Sequence, residues 1–543
     1  MSATASARPA APTPRSIAAA AHAAGVERYR WLILLGLITA AVMEVLDTTI
    51  VNVALPQMAG NLSATQTEIA WVSTSYILAN VVVLPMTAFF TETFGRKNYL
   101  TFSIILFIVA SFLCGTATSL GQLVLWRLVQ GAGGAALLST AQATLRQIFP
   151  REEQGMVQAI FLLGIIVAPT LGPTLGGWIT DNYAWSWCFY INVPIGIAAA
   201  FLVTTFLHDP PEHQRRTGPV DWLGIGLLVA GVGSLQYVLE EGNAHDWFAD
   251  QSIVWLTVVA VVSLLVLLWW QLSPRNQHPV IQLRVLKNRN LSASIFLFVV
   301  LGFGLFGGAF LFPLFTQTIL GFTPTETGLA MLPGGLATAA MALVCGALLN
   351  GKKPLADVRV LILCGMTMML WAMWDLGHLT TAAGEHDARV ALIIRGVALG
   401  LLFVPINNAA FGALQPHEAQ QASGLINLSR QLGGSFGIAV LGTFLTSHTA
   451  QRRADLVEYL YRGNPAFEQR FGMLVQGLRA QGASLAEAQQ KAMAVLNGQV
   501  MKQAAMLAYN DSWFFILLSF LVVIPAVFLL RKPKGAAGAG EMH

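Results

Sequence analysis

Apolar stretches of about twenty residues recur along the chain from Trp31 to Leu530, separated by short polar or glycine-containing connections. A helix of that length rises about 30 Å at about 1.5 Å per residue, which matches the hydrocarbon core of a bilayer. The pattern predicts spanning helices at roughly 31–54, 68–91, 98–117, 120–146, 154–180, 188–207, 220–241, 251–272, 291–319, 326–349, 358–378, 389–413, 422–446 and 510–530. Strands would leave unpaired backbone groups in lipid, so the reading is an all-α membrane protein of about 14 transmembrane helices.

Composition agrees: 55% of the 543 residues are hydrophobic and 11% charged, against about 25% charged in soluble domains. The first apolar segment is too long for a cleavable signal and carries two acids, so it stays as a helix. Residues 1–28, rich in alanine and proline, read as a disordered cytoplasmic tail. Cys114, Cys188, Cys345 and Cys364 sit in apolar runs without a pairing pattern and read as buried fillers.

The net charge of +4 reports orientation rather than a nucleic-acid partner. Connections holding Arg28 and Arg30, Arg96 and Lys97, Arg146 and Arg151, Arg215 and Arg216, Arg275 to Arg289, Lys352 to Arg359, and Arg531 to Lys534 all fall on one face. The short connections on the other face carry no Lys or Arg. The positive-inside rule therefore puts both termini in the cytoplasm. The exception is a long connection at about 447–509, whose roughly 60 residues reach the length at which the rule lapses. It is expected to lie outside and to be partly helical: Ser484 with Glu487 forms a capping-box pattern, and the first breaker is Gly498.

Gly155 and Gly164 on the fifth predicted helix have the same spacing as Gly424 and Gly433 on the thirteenth. This fits a 6+2+6 arrangement: an N-terminal six-helix bundle at 29–208, a two-helix insert with cytoplasmic linkers at 209–288, a C-terminal six-helix bundle at 289–530, and a cytoplasmic tail at 531–543.

Ionisable groups within a membrane are costly and mark function by default. Glu44 and Asp47 share one face of the first helix, and Arg127 on the fourth is expected at the same depth as Asp47. We read Asp47 and Arg127 as a switchable proton-coupling contact and Glu44 as the more freely protonated carboxylate. The alternatives are a fixed ion pair for Asp47 and a cavity residue that binds cations without coupling for Glu44. Gln130, Asn407, Asn408, Asn427 and Arg430 are further polar groups in apolar spans and join Glu44 as cavity candidates, whereas Asp375 and Arg395 read as a structural pair. The segment from Gly164 to Ile179 holds Gly164, Pro169, Gly172, Pro173, Gly176 and Gly177. It is expected to kink and to act as a hinge and seal, or simply to pack closely.

No phosphate-binding loop and no HExxH or CxxC metal spacing is present, so the sequence implies no cofactor, no metal and no enzyme.

With these residues in view, the chain resembles the major facilitator superfamily, and within it the fourteen-span drug:proton antiporters. LDTTIVNVALP from Leu46 is similar to the first-helix motif, and LVLWRLVQGAGGAA from Leu123 to the fourth-helix motif, with Arg127, Gln130 and Gly131 as key members. APTLGPTLGGW from Ala168 is similar to the antiporter motif. WSWCFYINVPIG from Trp185, DWLGIGLLVAGVGSLQYVLEEG from Asp221 and SGLINLSRQLGGSFG from Ser423 resemble further signatures of that branch. In the family's cytoplasmic gate motif, Ala88, Glu92 and Thr93 replace the usual glycine, aspartate and arginine, while Gly95, Arg96 and Lys97 remain. The resemblance implies proton-driven export of lipophilic toxic compounds across a bacterial inner membrane. It also implies a periplasmic membrane-fusion adaptor and an outer-membrane channel as partners. A proton symporter or importer of a metabolite on the same fold is the alternative, and a membrane enzyme or sensor lacks its catalytic groups.

If Glu44 recognises charge, Glu44→Gln weakens export of cationic compounds more than of neutral ones; equal loss of both classes in a dye-efflux panel contradicts that role.

Overall fold

The computed structural model describes residues 14–150, 153–209, 218–349, 355–412, 414–415, 418–461 and 463–530, and among these it is helical without strands. Arg151, Arg215, Arg216, Lys352, Arg462 and the tail from Arg531 lie outside the described residues.

The chain opens with α1 (Pro14–Asn61). Next come α2 (Gln66–Val83) and α3 (Thr87–Phe94), joined by a 3-10 turn at Leu84–Met86 where Pro85 withholds a backbone donor. Then follow α4 (Arg96–Gly115), α5 (Leu120–Ile148), α6 (Gln154–Asn182), α7 (Trp187–Tyr190) and α8 (Asn192–Phe206). A hairpin of α9 (Trp222–Glu241) and α10 (Gln251–Leu272) precedes α11 (Arg289–Phe315), α12 (Pro324–Leu348), α13 (Val358–Leu376), α14 (Glu385–Gly412), α15 (Ala419–Val457), α16 (Pro465–Ala480) and α17 (Leu485–Val527).

Eleven spans among the described residues are long and apolar enough to cross a bilayer. Helices α5 and α15 fall outside that set because they carry the polar groups of the interior, among them Arg127, Gln142, Asn427 and Arg430. The outer surface is the reverse. Phe102, Ile105, Val109 and Phe112 form an exposed stripe on α4, and the sides of α10 are exposed from Trp255 to Trp269. Such continuous apolar surface is suited to lipid.

Helices α1 to α8 pack on one another, as do α11 to α15 with α17, and the same pairs recur: α1 on α6 and α11 on α15, α2 on α5 and α12 on α14, α4 on α8 and α13 on α17. The two groups meet through α6 on α12 and α5 on α15. Helix α9 lies between α2 and α15, where Trp71 meets Tyr237 and Gln236 donates to Ser435 Oγ at 2.9 Å. The starts of α2 and α12 carry the same T-x-T-E sequence, and both close as capping boxes, Thr65 with Glu68 and Thr323 with Glu326.

Four differences from the sequence reading have physical causes. The tail expected to be disordered over 1–28 is helical from Pro14, as the alanine run from Ala18 to Ala24 favours. The connection at 447–509 is almost wholly helical, because α15 runs on to Val457 and α17 begins at Leu485 and passes through Gly498 without a break. One glycine costs a helix only about 1 kcal/mol, and here good helix formers flank it. The helices α15, α16 and α17 thus form a tower at one end of the bundle, with Phe471, Leu474 and Val475 packed on Ala488 and Ala492. At the opposite, basic end, Arg30 pairs with Glu153 at 3.2 Å, and Arg359 donates to the carbonyl of Leu530. Among the described residues Arg395 does not pair with Asp375; it donates to the Leu305 carbonyl at 3.1 Å on α11. Cys114, Cys188 and Cys345 are buried as expected, but Cys364 is exposed on α13.

The backbone of α6 stays helical through positions 169 and 173, so the prolines do not interrupt it. Its glycines serve contact with α1: Gly164 faces Ile38 and Val42, Gly172 faces Thr49, and a methyl on Gly176 would stand 2.8 Å from the Ile50 carbonyl oxygen. Gly177 has open space around its own methyl position. Accordingly, Gly176→Ala is expected to cost about 1–3 kcal/mol and to lower the melting temperature in detergent by several degrees, while Gly177→Ala leaves it unchanged or raises it.

Candidate functional site

A buried polar cluster sits where α1, α2, α4, α5 and α8 converge. Its centre is Asp47, which is fully buried, as is Arg127 at 1% exposure. Arg127 Nη1 donates to Asp47 Oδ2 at 2.6 Å. Gln130 Nε2 and Asn192 Nδ2 donate to Asp47 Oδ1 at 2.9 and 2.7 Å. The guanidinium is held in turn: its Nε donates to the Val72 carbonyl at 2.9 Å, its Nη1 also donates to Gln130 Oε1 at 2.8 Å, and it lies 4.2 Å from the Tyr76 ring centroid. The residues expected at one depth are therefore in direct contact. Gln130, read as a cavity residue as well as a family motif member, belongs to this pair.

Asn192 had no role in the sequence reading. The chain breaks at Ile191 between α7 and α8, and Pro194 falls in the first turn of α8, where its missing donor costs nothing. That break delivers Asn192 to Asp47, and Asn192 Nδ2 also donates to Ser111 Oγ on α4 at 3.1 Å. A lone amide in an apolar run was the available signal.

One turn before Asp47, Glu44 accepts from Asn80 Nδ2 and from the Leu138 amide, each at 3.1 Å, and it has no direct ion-pair partner among the described residues. The opposite charge acting on it is Arg430 on α15, which reaches it electrostatically across the divide between the two helix groups. Arg430 Nη2 donates to Asn427 Oδ1 at 3.2 Å and its guanidinium lies 5.6 Å from the Phe403 ring. Asn427 Nδ2 donates to Gln142 Oε1 at 2.9 Å on α5, and Ser423 Oγ to the Ser139 carbonyl at 2.7 Å. Asn427 thus tacks the two groups together toward the basic end. Asn407 is fully buried with neither amide atom hydrogen-bonded among the described residues, and Asn408 is half-buried beside it.

The gate residues cluster at the basic end. Glu92 Oε1 accepts from Gln421 Nε2 at 3.5 Å, so the acid that replaces the family aspartate reaches the first turn of α15. Gly95 adopts φ 87°, a conformation that favours glycine, and a side chain there would collide with Asp209. The Lys97 amide donates to Asp209 Oδ1 at 3.1 Å, and Arg96 donates to Gln147 and lies 3.9 Å from Asp209. Asp209 and Gln147 were not foreseen. At this end Leu84 also approaches Gly424, and Gly346 of α12 approaches Gly155 of α6, so the two groups are in contact across it.

The sequence pattern of the Major Facilitator Superfamily matches residues 37–438. The chain belongs to that superfamily. The multidrug export protein EmrB of Escherichia coli strain K12 is 32% identical over 94% of this chain and 97% of its own length. The fatty acid resistance protein FarB of Neisseria gonorrhoeae is 31% identical over 94% of this chain and 98% of its own. Among solved structures, the human organic anion transporter MFSD10 superposes with a TM-score of 0.55 at 11% identity, covering 90% of this chain and 99% of that one. This last likeness shows the fold alone. The chain is therefore a multi-pass membrane protein of a transporter family, with the all-helical fold of that family.

A charge left alone in this interior is costly. Arg127→Ala is expected to destabilise the protein by about 3–5 kcal/mol, whereas the double variant Asp47→Asn with Arg127→Gln recovers much of the loss. Melting curves of the three proteins in one detergent check this, and equal losses in single and double variants argue against a tight pair.

Proposed function

We propose that this protein is a secondary active multidrug exporter that exchanges protons for lipophilic toxic compounds by alternating access. The observation that carries the reading is the Asp47–Arg127 pair, sealed from water and shared by helices that must separate for it to open. When the carboxylate takes a proton, its hold on Arg127 weakens and α1 can part from α5; release of the proton restores the pair. Glu44, bound only by neutral donors, is the second protonation site and the point where cationic cargo meets the cavity, with Asn407, Asn408 and Arg430 lining it. Whole-length similarity to proteins named for multidrug export supports the direction of transport over symport or import.

In the same reading the fold is 6+2+6 with fourteen spans. The recurring contact pairs and the twin T-x-T-E caps support the repeat, with α9 and α10 as the insert. The basic end is then the cytoplasmic face of a bacterial inner membrane, carrying both termini, and the gate at Glu92, Gly95, Arg96 and Lys97 is closed in the conformation described. The tower stands in the periplasm, where it offers a surface for a membrane-fusion adaptor leading to an outer-membrane channel. The glycines of α6 act as the hinge against α1.

In proteoliposomes with an imposed pH gradient, Asp47→Asn is expected to abolish uphill efflux while the protein still inserts. Unchanged dye efflux removes Asp47 from the mechanism, and transport that follows a sodium gradient instead of a proton gradient reassigns the coupling ion.

A further inference from the structure

Outside this site, the basic end of the α9–α10 hairpin holds a cavity of about 470 Å³. Its floor is Asp221, the cap of α9. Asp221 Oδ1 accepts from the Gly224 amide and from Trp270 Nε1, each at 2.8 Å. Its Oδ2 accepts from Gln271 Nε2 at 3.0 Å and Asn276 Nδ2 at 2.7 Å. Burial pushes this carboxyl up, but the four donors outweigh burial and hold it below the usual aspartate value. The acid is thus spent on pinning the turn after α10 to the start of α9. It fixes the cavity without leaving a lone pair for a ligand.

The other polar residues that line the cavity, besides Asn276, are Arg275, Gln277 and His278. The Arg275 side chain is exposed, and neither it nor His278 has a carboxylate partner among the described residues. The wall is aromatic: Trp222 is 75% exposed, and Trp270 turns its indole N–H inward to Asp221. Leu223 of α9 is exposed in the lining, and just beyond the rim Trp269 and Leu272 are exposed on the flank of α10, whose apolar stretch is only 22% buried. Cations and indoles at the end of an apolar span mark headgroup depth. The adjacent bare flank of α9 and α10 is where lipid chains lie.

We propose that this pocket is a phospholipid site, in which Arg275 and His278 take the headgroup phosphate, Trp222 covers its glycerol, and the acyl chains run along the exposed flank of α10. Arginine and histidine N–H groups suit a phosphate diester, and Asp221, whose oxygens are taken by their own four donors, does not compete for either cation. The inference does not rest on the export reading, since the hairpin contributes no residue to the Asp47 cluster.

Native mass spectrometry of the full-length protein, delipidated in detergent and titrated with phosphatidylglycerol, phosphatidylcholine or inorganic phosphate, tests it. Retention of phosphatidylglycerol is expected to fall about tenfold in Arg275→Ala/His278→Ala, with Arg275→Lys keeping most of it. An unchanged melting temperature in the double variant assigns the loss to the pocket. Equal lipid retention by the wild type and the double variant overturns the proposal, and so does competition by inorganic phosphate at the concentrations at which the lipid binds, which marks a soluble-anion site.

Discussion

A carboxylate and a guanidinium placed in a medium of low dielectric set the terms for the rest of this molecule. Each loses several kcal/mol of hydration on burial, and their attraction repays that only when the remaining donors and acceptors are also met. Asp47 and Arg127 meet this condition through groups on four elements: Val72 and Tyr76 on α2, Gln130 beside Arg127 on α5, and Asn192 on α8 with Ser111 of α4 behind it. Such a cluster does not loosen gradually. Losing one partner strands a charge, so the helices around it are either docked or apart, which gives the all-or-none character that a transport cycle needs.

The seams within and between the two groups of helices differ in kind. Within each group, glycines bring helices to backbone contact, as with Gly131 against Tyr76 of α2 and Gly433 against Val299 of α11. These contacts have no polar side chains that water could replace. Between the groups, at the basic end, Gly346 also comes close to Gly155, but further links are side-chain hydrogen bonds such as Asn427 with Gln142 and Gln421 with Glu92. Water can substitute for each of these at small cost. Glycine-packed seams inside each group, able to give where the Asp47 cluster joins α1 to α5, and exchangeable hydrogen bonds between the groups suit movement of one group against the other.

How much of this was legible in the sequence depended on the residue type. Charges in apolar runs announce themselves, so Asp47, Glu44 and Arg127 could be named and two of them paired. Asn80 and Asn192 are neutral amides, and nothing in an apolar run says which of them turns toward a carboxylate on another helix. Asp209 and Gln147 escaped notice because they sit in connections or helix ends, where polar residues are ordinary. The glycine-rich motif on α6 was recognisable, and Gly164, Gly172 and Gly176 bring α1 close as expected. The helical state of the alanine-rich stretch after Pro14 was not legible because composition alone does not separate a helix in water from a flexible tail, whereas α17 passes Gly498 because one glycine costs a helix little.

The 43 residues of α17 run unbroken from the tower into the span, as do the 39 of α15. At about 1.5 Å per residue, α17 is about 64 Å long, roughly twice the thickness of the hydrocarbon core. Such a rod works as a lever with its fulcrum at the membrane surface. A tilt of about 10° within the bilayer swings the far tip by about 5 Å, given about 30 Å of projecting helix. Anything that grips the tower is therefore pushed and pulled once per transport cycle, and a load applied there resists the rocking of the helices below.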